Sequence, residues 1–423
     1  MAEAYLGIDF GTSGARACVI DGRREPLAEA HIGFTLEARP QAPTHWRECL
    51  LDLIARLPAR LRARLRAVAL DGTSSTCLLL DRNARPLDVP LLYHDMRATR
   101  EAAELAQLAP PDAAVHSASS SLAKLLWYAR NAEFSRAGFF AHQADWLALQ
   151  LHGQPGLSDY HNGLKLGVDV EALRYPDWLL SLPVARVLPQ ILSPGKAIGP
   201  IMHKTAQALG LPHECIVRSG TTDSIAAFLA TGARQAGHAL TSLGSTLVIK
   251  SLSHTRVDAP AFGLYSHRLG PLWLVGGASN TGGAVLRRFF DDGALEALSA
   301  QIQTSTASPL DYYPLLAPGE RFPINDPAYP PRLSPRPADD RAFLHGLLEG
   351  IARIEGRGYE LLMALGATPV QRILTAGGGA GNAPWARIRA RVTGLPVEAA
   401  ARTEAAYGAA LLAACGEKLL CFG

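Results

Sequence analysis

The sequence predicts a mixed α/β protein built from two related domains. Short apolar strands open the chain in hairpins and then alternate with helical segments, the pattern of a sheet covered by helices. The opening theme returns about half a chain later. Leu6-Gly7-Ile8-Asp9-Phe10-Gly11-Thr12-Ser13 is echoed by Ala239-Leu240-Thr241-Ser242-Leu243-Gly244-Ser245-Thr246, and Gly11 and Gly244 lie 233 residues apart. A chain of 423 residues also exceeds one ordinary core, at roughly 150 residues per domain. A polar, glycine-containing break at Gly232–Gly237 sets the expected domains at 1–234 and 235–423.

In chain order, strands are expected at Tyr5–Asp9, Ala15–Asp21 and, with weaker patterning, Glu29–Gly33. Leucines at helical spacing over Trp46–Leu65 predict a helix interrupted at Pro58, which has no N–H for the ladder. Arg66–Leu70 and Cys77–Asp81 are strands again, separated by the polar turn Asp71–Thr76. Ser119–Leu151 reads as mostly helical and Ser158–Trp178 as a loop-rich insert. The second half predicts a strand Leu247–Leu252, a glycine loop Gly276–Gly283 and a helix Ala284–Phe290. An irregular, proline-rich excursion Ser308–Pro337 follows, then a long helix Ala342–Leu365 and a strand Gln371–Ala376.

Composition removes several function classes. The 41 Lys and Arg nearly balance the 38 Asp and Glu, unlike a general nucleic-acid binder. No apolar run approaches the ~18 residues of a membrane span. The opening Met-Ala-Glu-Ala-Tyr-Leu-Gly-Ile-Asp has no basic, apolar leader, so the chain is expected in the cytoplasm. The six cysteines (Cys18, Cys49, Cys77, Cys215, Cys415, Cys421) show no Cys-x-x-Cys and no zinc spacing, and read as reduced, mostly buried thiols.

Four segments carry chemistry. Asp9-Phe10-Gly11-Thr12-Ser13-Gly14 places glycines in a tight turn whose backbone N–H groups face an anion, with two hydroxyl donors added. It is no Walker loop: lysine is absent and a strand follows. Asp9 is positioned to hold a hydrated Mg²⁺ beside phosphates. The bland reading, an ordinary glycine turn, loses weight because the turn recurs at Gly244–Thr246. Gly220-Thr221-Thr222-Asp223-Ser224 leads an apolar helix, Ile225–Leu229; Asp223 suits a general base for a hydroxyl attacking phosphorus, and equally suits a plain N-cap. Ala376-Gly377-Gly378-Gly379-Ala380-Gly381-Asn382 follows a strand and permits close backbone approach to a flat base or ribose; a flexible turn is the alternative. Asp71-Gly72-Thr73-Ser74-Ser75-Thr76 and Tyr93-His94-Asp95-Met96-Arg97 have the donor and acceptor density of a polyol pocket, or of a polar turn with a surface ion pair.

In this order, and over nearly the whole chain, these segments resemble the FGGY carbohydrate kinases of the actin-like ATPase superfamily. Asp9–Gly14 resembles the first phosphate motif, Leu243–Thr246 the second, and Gly377–Asn382 the adenosine motif. Ser119-x-Ser121-x-x-Lys124-Leu125-x-Trp127 is similar to a family signature and departs from it at Tyr128; Glu404–Ala410 resembles the final helix. The resemblance implies two domains of ribonuclease-H-like topology, with ATP and a sugar meeting in the cleft. It makes Asp223 the catalytic base, and gives Asp9 an auxiliary role toward Mg²⁺ or the acceptor. It implies that Thr12, Ser13, Gly14, Ala15, Gly244 and Ser245 hold phosphates, and that Gly283, Gly378, Gly379 and Asn382 line the nucleotide site.

The implied substrate is a pentulose. Xylulokinases typically carry Ser-Gly-Gln-x-His-Gly where this chain has Asp71–Thr76, and the segment is closer to compact kinases that act on D-ribulose. Gly72, Ser74, Asp95, Asp9 and Asp223 are then the sugar-binding candidates, with Tyr93 in place of the family's Trp. D-xylulose, or another ketose or polyol, is the alternative substrate, and an actin-like nucleotide switch the alternative class. The implied partners are small molecules only, with the chain a monomer or homodimer.

Overall fold

A computed structural model describes residues 3–34 and 42–420, so the expectation for Cys421 lies outside the described residues. The chain forms two compact units. Residues up to Ala230, together with the segment from Arg402, make the first; Thr231–Ala401 make the second. The expected division at residue 234 differs in two respects: the chain crosses at Ala230, and its last helix, Ala405–Cys415, returns to the first unit. That helix is apolar nearly all round, with Ala406 and Gly408–Ala413 buried, and such a helix needs cover on every side.

The first unit contains β1 (Ala4–Phe10), β2 (Gly14–Asp21), β3 (Pro26–Gly33), β4 (Leu65–Gly72), β5 (Cys77–Asp81), β6 (Ala137–His142), β7 (Leu157–Asp159), β8 (Gln190–Leu192), β9 (Ala197–Pro200), β10 (Ile216–Arg218) and β11 (Thr221–Thr222). Its main sheet runs β3-β2-β1-β4-β10-β9, with β11 also paired to β4. The hairpin strands are antiparallel, whereas β1, β10 and β11 each run parallel to β4. The core beneath it joins Leu6, Ile8, Phe10 and Val68 to Trp46, Leu50 and Leu53 of the helix Pro43–Ala55. A smaller core sits around the β5–β6 pair, with Leu79, Phe140, Leu122, Leu125 and Tyr128.

The second unit contains β12 (His238–Leu243), β13 (Leu247–Ser253), β14 (Tyr265–Leu269), β15 (Leu272–Ser279), β16 (Arg372–Ala376) and β17 (Val397–Ala399). The order is β14-β15-β13-β12-β16-β17, antiparallel through β12 and parallel beyond it. Apart from the extra edge strand β14, this repeats the plan of β3-β2-β1-β4-β10. The duplication read in the sequence is therefore topological. The long helix spans Asp340–Ala364 and buries Phe343, Leu347, Ile351 and Ile354 against the sheet.

Three elements differ from expectation. Pro58 divides the first helical segment into Pro43–Ala55 and Ala59–Arg62, and Leu65 already belongs to β4. Within Ser119–Leu151, strand β6 separates two helices, Ser121–Asn131 and Gln143–His152, because Phe140 pairs with Leu79 of β5. The expected loop Gly276–Gly283 is strand β15 as far as Ser279. Its glycines serve packing: a Cβ on Gly277 would lie 2.5 Å from the ring of Phe322, which the proline-rich excursion lays over the strand. Among the described residues no helix is long and apolar enough to cross a membrane. Of the five described cysteines, four are buried, all five are unbridged, and Cys415 is half-buried.

Glycines seat the returning helix. A Cβ on Gly408 would lie 1.8 Å from the carbonyl oxygen of Ala226, and one on Gly7 2.0 Å from the amide nitrogen of Ala410. Alanine at 408 gains about 1 kcal/mol of helix propensity. A contact that short forces backbone apart, and overpacking of this kind costs about 1–3 kcal/mol or more. Gly408→Ala is therefore expected to be net destabilising, as a lower midpoint in thermal unfolding; an equal or higher midpoint would contradict the packing described.

Candidate active site

The first unit gathers three carboxylates at the carboxyl ends of neighbouring parallel strands, the edge of an α/β sheet where ligands bind. Asp9 near the end of β1 is directly opposite Asp71 of β4, and Thr221 of β11 is opposite Asp71 on the other side. Asp223 then opens the helix Asp223–Ala230, its Oδ1 accepting the Ser224 N–H at 2.6 Å. Asp71 is wholly buried, and neither of its oxygens has a donor among the described residues. Burial, then the charge of Asp9, then that of Asp223 push its carboxyl well above the usual range. Two carboxylates cannot hydrogen-bond each other, but a protonated Asp71 can donate to Asp9. Burial also raises Asp9, while its contact with Asp71 and the Arg16 guanidinium, 3.3 Å away, act in the opposite direction.

The turn Gly11–Gly14 is short. Gly11 N–H donates to Gly14 O at 3.0 Å, and Thr12 and Ser13 are exposed at its tip. Gly14 and Ala15 are buried in the strand ladder. A Cβ on Gly14 would meet the Ile32 carbonyl oxygen at 2.4 Å, so strand pairing requires that glycine.

Residues 73–76 and 92–97 are held together by buried polar groups. Thr73 donates from its amide and its hydroxyl to Gln143 Oε1, at 3.1 and 3.0 Å, and Tyr93 N–H donates to Thr76 Oγ1 at 3.0 Å. Ser75 takes a left-handed φ of 64°, which aims its carbonyl at the buried ammonium of Lys124. Lys124 donates to Ser75 O at 2.8 Å and Leu92 O at 2.6 Å. Tyr128, the departure from the family signature, donates to Val89 O at 2.7 Å and adds a second tie to the same region. Ser74 is half-buried. Asp95 is mostly buried and ion-paired to Arg97 at 2.8 Å, while Arg97 stacks over Trp127. The Arg97 contacts outweigh burial and hold the Asp95 carboxyl below its usual range. Gly72 packs against Gln143 and Ala144 at the floor of this region.

The second unit holds a pocket of about 640 Å³, within the range of small-molecule sites, lined by Gly283, Gly378, Gly379 and Asn382. Gly377 has φ 82° and approaches Leu243, where a Cβ would lie 2.7 Å from the carbonyl oxygen. Asn382 caps the helix Ala383–Thr393 through Trp385 N–H at 2.9 Å and donates to Ser299 Oγ at 2.9 Å. The hairpin turn Gly244-Ser245 is stapled to the wall by Gly283 N–H on Gly244 O, 2.9 Å, and Ala284 N–H on Ser245 O, 3.1 Å.

The structure thus groups Asp9, Gly72, Ser74, Asp95 and Asp223 in one unit, and Gly244, Ser245, Gly283, Gly378, Gly379 and Asn382 in the other. The sequence reading included Asp71 only as part of the polar segment Asp71–Thr76, and did not single out Arg16, Gln143 or Arg287, which the structure places beside the candidates. For Asp71 a signal existed, since it stands one residue before the end of a buried strand as Asp9 does. For Gln143 none did, because its contact spans 70 positions.

Profiles of the FGGY family of carbohydrate kinases match both units, the N-terminal domain over residues 4–230 and the C-terminal domain over 239–417. The chain belongs to this family. It is 25% identical to the xylulose kinase of Klebsiella pneumoniae, over 97% of this chain and 88% of that one. The crystal structure of a xyloylose kinase from Brucella ovis superposes with a TM-score of 0.85 at 27% identity, covering 98% of this chain and 91% of that one. The fold is shared also with the xylulose kinase of Rhodospirillum rubrum, TM-score 0.85 at 23% identity, covering 99% of this chain and 92% of that one. The FGGY chain described here is a carbohydrate kinase, a phosphotransferase with ATP as co-substrate, and the actin-like fold expected from its motifs is the observed one.

Lys124→Met keeps the side-chain length and removes the ammonium. It leaves the buried Ser75 carbonyl without that donor, an orphan costing about 1–3 kcal/mol, while the Leu92 carbonyl keeps the Asp95 N–H at 2.9 Å. The expected result is a loss of about 2 kcal/mol or more in chemical denaturation, and an unchanged midpoint would show that Lys124 is not what ties the two segments.

Proposed function

We propose that this kinase transfers the γ-phosphoryl group of ATP to a terminal hydroxyl of a pentulose, with Asp223 as general base and D-ribulose as the preferred sugar. The observation that carries the reading is the convergence of Asp223, Asp9 and the polar turn Thr73–Thr76 at one sheet edge, while the other unit presents a nucleotide-sized glycine-lined pocket. Asp223 accepts the hydroxyl proton as that oxygen attacks the γ-phosphorus. The bond to the bridging oxygen breaks, and ADP leaves with the electron pair. The Ser224 N–H bond fixes the direction in which the carboxylate faces. Thr12, Ser13 and the Gly244-Ser245 turn supply hydroxyl and amide donors to the phosphates.

Mg²⁺ fits this site in a restricted way. Among the described residues no group of three His, Cys, Asp or Glu is placed to hold a metal. Asp9, a nearly buried carboxylate at the mouth of the sheet, suits a hydrated ion whose other ligands are phosphate oxygens and water. When bound, that ion neutralises charge on the β- and γ-oxygens.

D-ribulose and D-xylulose differ in configuration at one carbon, so choice between them depends on a hydroxyl paired in one and stranded in the other. An unpaired buried polar group costs about 1–3 kcal/mol, roughly ten- to a hundredfold in specificity. Ser74 and Asp95 are the proposed discriminators, and the absence of the xylulokinase Gln and His from Asp71–Thr76 supports D-ribulose. The names of the relatives favour D-xylulose as the second reading. Competition kinetics with both sugars separates them: a higher kcat/KM for D-ribulose is expected, and equality or a preference for D-xylulose overturns the sugar assignment.

Asp223→Asn is expected to retain the fold and ADP binding, with turnover reduced ~10²–10⁴-fold. A variant that keeps most of its turnover removes Asp223 from the mechanism.

A further inference from the structure

The second unit's phosphate turn contains no lysine, and a polyphosphate held only by neutral donors is left with most of its charge uncompensated. One side chain alters that balance. Among the described residues lining the 640 Å³ pocket, Arg287 is the one cation, and Asp292 and Glu296 are the two anions. Arg287 ends the short helix Gly283–Arg287, whose first amides are bonded to the carbonyls of the Gly244-Ser245 turn. Its Nη2 donates to Ser245 Oγ at 3.1 Å. Its Nη1 lies over Gly283, close enough that a Cβ on that glycine would sit 3.1 Å away.

The guanidinium therefore rests on the two residues that frame the turn, Ser245 and Gly283, and is exposed on its outer side. Among the described residues no carboxylate stands at ion-pair distance from it, although two acids share the wall. A planar guanidinium so held presents paired N–H donors of the kind that bind phosphate oxygens in bidentate fashion.

We propose that Arg287 binds the phosphate chain of the nucleotide and supplies the positive charge that the Gly244–Thr246 turn lacks. The proposal rests on the reading of this pocket as the ATP site. The glycines and Asn382 hold the nucleoside end, and Arg287 distinguishes nucleotides from nucleosides.

Isothermal titration of the full chain with Mg²⁺-ADP and with adenosine tests it. Removing a charge-assisted contact weakens binding about ten- to a hundredfold. Arg287→Ala is expected to weaken ADP by that factor and to leave adenosine unchanged, with Arg287→Lys in between. Arg287→Gln, which keeps a polar side chain of similar length without the charge, is expected to behave as alanine does and guards against a folding defect. Undiminished ADP affinity, or equal losses for ADP and adenosine, overturns the role of Arg287. Failure of the unaltered protein to bind either ligand overturns the reading of the pocket, and the proposal with it.

Discussion

Parallel pairing of β1 with β4 imposes a constraint on the whole first unit: it sets Asp9 and Asp71 side by side at the end of a buried sheet. Adjacent carboxylates in a low-dielectric setting cannot both stay ionised without compensation. Burial and the charge of Asp9 push the wholly buried Asp71 carboxyl well above its usual range, and the Arg16 guanidinium stands beside Asp9. Asp223 joins from β11, the third strand end, at the start of a helix whose first-turn N–H groups favour an anion.

Around that edge some polar residues hold the loops in place. Lys124, Gln143 and Tyr128 are buried, and their donors and acceptors are spent on the backbone and hydroxyls of the turn and loop beside the carboxylates. A binding surface built from short polar residues needs such support, because each loop alone has too few contacts to stay in one conformation. Tyr128 illustrates the point: a departure from the family pattern in sequence is, in the structure, another tie to the same loop.

The second unit reaches its site by a different means. Its pocket is lined by Gly379, where a Cβ would collide with Trp385 and Leu243, and the neighbouring Gly377 approaches the Leu243 backbone as closely. Glycine therefore shapes the cavity by absence, while Asn382 and the stapled turn fix its rim. The same economy appears at Gly277, where the missing side chain admits Phe322, and at Gly408, where it admits the backbone of Ala226.

The sequence by itself determined the repeated plan, the glycine–hydroxyl turns, the position of Asp223 after a strand and the family to which these belong. Each is written in contiguous residues, and local periodicity or turn chemistry suffices to read it. Tertiary structure alone decided that the last helix returns to the first unit, that β6 interrupts a helical stretch, and that Gly276–Ser279 is strand. It alone decided also that Asp71 is buried opposite Asp9, that Gln143 accepts from Thr73 and that Arg287 lines the pocket of the second unit. Those outcomes depend on partners far away in the chain: Cys77–Asp81 for β6, Phe322 for the β15 glycines, Thr73 for Gln143, Ser245 for Arg287. Burial and hydrogen-bond satisfaction are properties of the assembled neighbourhood, and no spacing along the chain encodes them.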